Sequence, residues 1–215
     1  MKSKLCFIDD DSDFEIPLFR ETFGSEFDVI TSTTFTEAVA EIEDRHGWTP
    51  DLFVLDMYFP VAPPDQLAIA KLAESWTGLQ PDDGQIRQAF LNHLTAANRL
   101  RQVLSAWNQS AEGGRELARL VSEKFPLVPI VFYSRKATLQ DAVRSMMVKN
   151  VANVILKPSA GNDEDTKRLT KAEAARIASE FKNAMKLSRS PKLAAFKRGL
   201  RAVVKLLWQF FSDQQ

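Results

Sequence analysis

Short apolar runs that stop at polar or charged residues recur along the chain. Between them lie longer stretches in which apolar residues return every third or fourth position. Leu5-Cys6-Phe7-Ile8 ends at Asp9, and Leu52-Phe53-Val54-Leu55 ends at Asp56. Val128 to Tyr133, VPIVFY, ends at Ser134, and Val151 to Leu156, VANVIL, ends at Lys157-Pro158. Runs of this length, rich in Val, Ile and Phe, suit strands buried on both faces. A weaker run, FDVITST, spans Phe27 to Thr33.

The intervening stretches carry a helical period. FEIPLFRETFG sets Phe14, Leu18 and Phe19 on one stripe and stops at Gly24, and TFTEAVAEIEDRHG starts from a Thr36 cap and stops at Gly47. GGRELARLVSEKFP aligns Leu117, Leu120, Val121 and Phe125, and LQDAVRSMMVKN aligns Leu139, Val143, Met146 and Met147. Strands alternating with helices of this length predict a βαβ α/β fold around a parallel sheet.

Two segments depart from the alternation. Residues 61–112 show no strand signal and read as a helical hairpin insertion turning at LQPDDG. Its second helix carries Ile86, Phe90, Leu94, Ala97, Leu100, Leu104 and Trp107 at helical spacing. After the last strand, a long helix from about Asp165 to Leu187 is expected, then a break at SRSP and a final helix from Pro191 to about Phe211. Residues 188–215 are thus expected to form an amphipathic C-terminal helix, with Leu193, Phe196, Leu200, Val203, Val204, Leu207 and Phe211 on one side and Lys192, Lys197, Arg198, Arg201 and Lys205 supplying charge.

Composition adds little, and charge somewhat more. At 45% hydrophobic and 26% charged, the 215 residues are those of an ordinary globular protein. The net charge is zero, yet from Asp163 onward there are 12 Lys/Arg against 6 Asp/Glu. Such asymmetry marks either an interaction tail or solvated helix faces. The single cysteine, Cys6, lies in the first apolar run and reads as a core residue. It allows no internal disulfide, which fits a reducing compartment. With no charged-then-apolar leader and no apolar stretch near the ~20 residues that span a bilayer, a cytoplasmic location is expected.

In a parallel sheet, ligands gather outside the carboxyl ends of the strands. Here those ends carry Asp9, Asp10, Asp56, Ser134 and Lys157. Carboxylates brought together from two strands suit a hard divalent cation, and one or two of them with waters and a phosphoryl oxygen suit Mg²⁺. A lysine adds a compact positive charge for a phosphoryl group, and a serine adds a hydroxyl donor. Asp11 and Asp13 read instead as residues at the start of the first helix. His46 and His93 stand alone on helices and read as surface or half-buried residues rather than ligands.

With these residues in this order, the chain resembles the receiver domain of two-component response regulators over roughly residues 3–60 and 113–187. Asp9-Asp10 match the family's acidic pair, Asp56 in DMYFP matches the phosphoacceptor with Pro60 four residues on, Ser134 matches the hydroxyl position, and Lys157-Pro158 match a Lys-Pro whose peptide is usually cis. The resemblance implies a doubly wound five-stranded parallel sheet of order 2-1-3-4-5, with residues 1–60 and 113–187 as the receiver. It implies phosphoryl transfer to Asp56 from a histidine kinase or phosphotransfer protein. Mg²⁺ is then held by Asp10, Asp9, Asp56 and the Tyr58 carbonyl, with Lys157 paired to Asp56 at rest and Ser134 moving to a phosphoryl oxygen.

This chain also departs from the family. Arg135 follows the hydroxyl where a small residue is common, Val154 stands where many receivers carry a switch aromatic, and Tyr58 and Lys136 occupy positions that tune phosphoryl lifetime. The resemblance implies a signalling switch rather than an enzyme. It would act through an output protein, or through a homodimer built on the insertion or C-terminal helix. The basic helix could also lie on an anionic membrane. No nucleic-acid partner is expected, since no recognition-helix pattern stands out. The competing reading is a pseudo-receiver, a phosphorylation-independent scaffold or interaction module. A phospho-aspartyl hydrolase usually has an acid two residues after its nucleophile, where this chain has Tyr58.

Overall fold

A computed structural model describes residues 2–60, 67, 102, 103, 105–135, 137 and 139–188. The expected insertion lies outside them apart from Leu67 and its last residues. Lys136, His93 and the C-terminal helix from residue 189 also lie outside them.

Five strands, β1 (Lys4–Ile8), β2 (Asp28–Ser32), β3 (Leu52–Leu55), β6 (Ile130–Ser134) and β7 (Val151–Leu156), form one parallel sheet in the order β2-β1-β3-β6-β7. This is the 2-1-3-4-5 order of the flavodoxin-like doubly wound folds. Helices α1 (Glu15–Phe23), α2 (Phe35–Asp44), α3 (Ala111–Lys124) and α4 (Leu139–Met146) alternate with the strands, and α5 (Asp163–Ala172) and α6 (Ala174–Ser188) follow.

The two-residue period of the strands divides the core between two faces. Cys6, Ile8, Ile30, Phe53 and Leu55 point toward Ala38 and Ile42 of α2 and Leu117, Ala118 and Val121 of α3. Leu5, Phe7, Leu52, Val54, Val131 and Tyr133 point the other way, onto α1 and α6. That second face is rich in aromatics: Phe7 stacks on Phe19 at 4.0 Å, and Phe181 meets Tyr133 at 5.9 Å. On the first face Cys6 is fully buried, and burial pushes its thiol up, as suits a core residue.

Four local expectations need correction. Helix α2 is capped by Thr34, not Thr36: Thr34 is extended and its Oγ1 accepts from Glu37 N at 3.2 Å. A strand pair also exists where none was expected, since β4 (Phe59–Pro60) and β5 (Gln109–Ser110) pair antiparallel across the ends of the insertion. The expected long C-terminal helix is two helices. Glu173 leaves the helical region between them (φ −91, ψ 0). The turn lets Ile177, Ala178 and Phe181 of α6 reach the sheet, whereas α5 buries only Thr166 and Thr170. Finally, no described peptide is cis, so Lys157–Pro158 is trans. For an X–Pro bond the trans form is the intrinsically favoured one, by about 0.5–1 kcal/mol.

Candidate functional site

Parallel pairing brings the strand ends into one place. Ile8 pairs with Leu55, and Asp56 N donates to Ile8 O at 2.9 Å, so Asp9 and Asp56 leave their strands side by side. On the other side of β3, Leu55 pairs with Phe132, and Ser134 pairs with Leu156. Lys157 N then donates to Ser134 O at 3.1 Å. The side chains that terminate four separate apolar runs therefore meet because the ladder is in register.

Lys157 lies at the centre. Its Nζ is 2.5 Å from Asp9 Oδ2, 3.3 Å from Glu15 Oε2 and 3.5 Å from Asp56 Oδ1. All four residues are buried, with relative exposures of 2% for Asp9 and 7% for Glu15, Asp56 and Lys157. One ammonium among three carboxylates leaves an excess of negative charge out of water, which disfavours ionisation. Burial first, and the neighbouring Asp56 second, push the Asp9 carboxyl up from 3.8 to about 6, although Lys157 pulls it back. For Lys157, burial opposes the charged form, but Asp56, Asp9 and Glu15 outweigh it and hold the ammonium well above its ordinary range.

Backbone donors complete the geometry. Asp11 N donates to Asp9 Oδ1 at 3.0 Å, and Tyr58 N donates to Asp56 Oδ2 at 2.9 Å. Asp11 also acts at the helix start, as expected, accepting from Phe14 N at 2.8 Å.

A cavity of about 320 Å³ opens over these groups, lined by residues that include Asp10, Glu15, Asp56, Ser134, Arg135 and Lys157. Trp107 and Gln109, from the returning end of the insertion, form part of its wall. Ser134 is 1% exposed, and its Oγ is buried without a hydrogen-bond partner among the described residues. A buried hydroxyl left unmatched is costly unless a ligand or water meets it.

Of the proposed metal ligands, Asp10 and Asp56 line the cavity, whereas Asp9 and Tyr58 do not. Both Asp9 oxygens are engaged, by Lys157 and by Asp11 N. Among the described residues no group of three or more His, Cys, Asp or Glu side chains is arranged to hold a metal ion. The donor set fits Mg²⁺ in the form of two carboxylates with water completing the shell, not an all-protein cage.

Three residues at this end of the sheet were not anticipated. Glu15, the first residue of α1, meets both Lys157 and Arg135. Arg115 on α3 is buried, pairs with Glu112 Oε1 at 2.5 Å, and lies 3.9 Å from Asp141 Oδ1. Asp141 in turn accepts from the Tyr58 hydroxyl at 2.6 Å, tying the loop after Asp56 to α4. Burial and that hydrogen bond hold the phenol up. The only sequence signal for Glu15 is an acid in the first turn of a helix that follows an acidic strand end.

No protein-family model matches the chain, and no curated protein matches it in sequence. Solved structures similar to it include a CheY-like response regulator receiver domain protein from Methanospirillum hungatei JF-1, 15% identical with a TM-score of 0.40, covering 84% of this chain and 99% of that one. The response regulator domain of Thermotoga maritima CheB is 15% identical with a TM-score of 0.46, covering 86% and 98%. The phosphorylated cyanobacterial phytochrome response regulator RcpA is 16% identical with a TM-score of 0.44, covering 83% and 96%.

Proposed function

We propose that this chain is a phosphorylation-controlled receiver in which Asp56 accepts a phosphoryl group from a histidine kinase or a phosphotransfer protein. The observation that carries the reading is one cavity wall. Asp56 stands there with the Lys157 ammonium 3.5 Å from its carboxylate, and on the same wall is the Ser134 hydroxyl, which has no partner among the described residues. An acceptor oxygen, a cation and a spare hydrogen-bond donor are what an incoming phosphoryl group requires.

In the transfer, an Asp56 oxygen bonds to phosphorus as the P–N bond of a phosphohistidine breaks. The departing imidazole takes up a proton. Transfer of this kind is driven by positioning and charge neutralisation rather than by a strong protein nucleophile. Tyr58 N fixes the Asp56 rotamer through Oδ2, leaving Oδ1 toward the lysine. Lys157 balances the added charge, and Ser134 donates to a phosphoryl oxygen. Asp10 and Asp56, which line the cavity, would hold a Mg²⁺ ion, and that ion would supply further neutralisation of negative charge. Signalling then passes to a protein partner or a second copy of the chain, with residues 1–60 and 113–187 as the receiving unit.

Incubation with acetyl phosphate and Mg²⁺, followed by intact-mass measurement, tests the reading. One added phosphoryl group that is absent in Asp56→Asn supports it. No label from any phosphodonor favours the scaffold reading.

A further inference from the structure

The cavity holds a second cation that the phosphoacceptor reading leaves unused. Arg135 Nη1 pairs with Glu15 Oε1, while Lys157 Nζ lies 3.3 Å from Glu15 Oε2, so each oxygen of one buried carboxylate is held by a different cation. The guanidinium is braced at the wall by Nε donating to Pro158 O at 3.2 Å and by the Phe14 ring, 5.2 Å from Cζ. Glu15, Arg135 and Lys157 all line the cavity that contains Asp56.

We propose that Glu15 is a resting counterion shared by Lys157 and Arg135, and that a phosphoryl group on Asp56 takes both cations from it. Arg135 is then a second phosphoryl-binding residue, and Glu15 is a positioning residue that sets how costly the phosphorylated state is. The proposal rests on Asp56 being the phosphoacceptor.

The physical basis is competition for a limited number of cations. Lys157 already serves Asp9, Glu15 and Asp56, so it cannot alone neutralise a phosphoryl group carrying further negative charge. A guanidinium presents several N–H donors in a plane and suits phosphoryl oxygens better than a lone ammonium does. Glu15 and a phosphoryl group repel each other across the same cavity, so occupation of one partner set empties the other. Glu15 retains a favourable place when released, because it stands in the first turn of α1, where the helix dipole favours an acid. A ligand that must first displace a resting partner binds more weakly than one that need not.

Calorimetric titration of the full chain with beryllofluoride in the presence of Mg²⁺, using wild type, Asp56→Asn, Arg135→Ala, Arg135→Lys and Glu15→Gln, tests the proposal. Wild type binds and Asp56→Asn does not. Arg135→Ala weakens binding at least about tenfold, as for a lost hydrogen bond to a charged group, and Arg135→Lys recovers part of it. Glu15→Gln tightens binding by about fivefold, within the usual range of coupling between sites; a misfolded variant cannot produce that gain. If wild type and Arg135→Ala bind within about twofold of each other, or if Glu15→Gln binds more weakly, the proposal is overturned while the Asp56 reading stands. Wild type that fails to bind, or Asp56→Asn that binds equally well, overturns both.

Discussion

The ammonium of Lys157 lies 2.5 Å from Oδ2 of Asp9, nearer than the 3.5 Å that separates it from Asp56 Oδ1. Asp9 and Asp56 therefore share one buried cation, which at rest sits nearer the carboxylate that follows the first strand. A group that adds charge to Asp56 shifts that balance.

Removal of the cation tests the electrostatics directly. Lys157→Met leaves Asp9, Glu15 and Asp56 buried without their common partner. Breaking a buried ion pair from one side costs about 3–5 kcal/mol. Urea unfolding at neutral pH should show a loss of that order, and acidification should recover part of it as the orphaned carboxylates protonate.

A pH dependence follows from Asp9. Its folded carboxyl titrates near 6 instead of 3.8, principally because it is buried. Between these values the folded state binds more protons than the unfolded state, so stability falls as pH rises. The contribution is complete below about 4 and lost above about 6; over that window it amounts to about 3 kcal/mol. In chelator-containing buffer, the stability of wild type relative to Asp9→Asn should decline across this window. A flat difference would contradict the origin assigned to the shift.

Much of this arrangement was legible in the sequence, and the reasons are physical. Strands buried on both faces must be nearly all apolar, so β1, β3 and β6 announced themselves as runs; the edge strand β7 is only partly buried but is apolar apart from Asn153, and the polar residues that follow these runs marked the site. The ladder between β4 and β5 is two residues long and carries a proline, so no periodicity can reveal it. Glu15 escaped notice because an acid in a first helical turn is ordinary, and only the fold turns it toward Lys157. Glu173 breaks the C-terminal helix without Gly or Pro, since the turn serves the packing of Phe181 rather than a local preference.

The link from Tyr58 to Asp141 is measurable by a double-mutant cycle. The phenol donates to a carboxylate at 2.6 Å, across 83 positions of sequence. A hydrogen bond to a charged group contributes about 1.5–3 kcal/mol, so the cycle of Tyr58→Phe and Asp141→Asn should return a coupling of about 1–2 kcal/mol. Additive effects would show that the loop and α4 are energetically independent.

Helix α3 is seated against the loop after Asp56 by a glycine. A Cβ at Gly114 would lie 2.3 Å from Met57 O, a backbone atom that cannot turn aside. Gly114→Ala should therefore destabilise by about 1–3 kcal/mol. At Gly161 nothing lies within 4 Å of an added Cβ, so Gly161→Ala should change stability by no more than about 0.5 kcal/mol. Thermal melts of the two variants give the comparison.

The central claim is that Asp56 is the residue phosphorylated. The direct measurement is incubation with acetyl phosphate and Mg²⁺, borohydride reduction of any acyl phosphate, and peptide mapping of the reduced residue. Reduction is expected at Asp56, none at Asp9 or Asp10, and none in Asp56→Asn. A chain that takes up no phosphoryl group, or that carries it at another residue while Asp56 stays unmodified, would contradict the account.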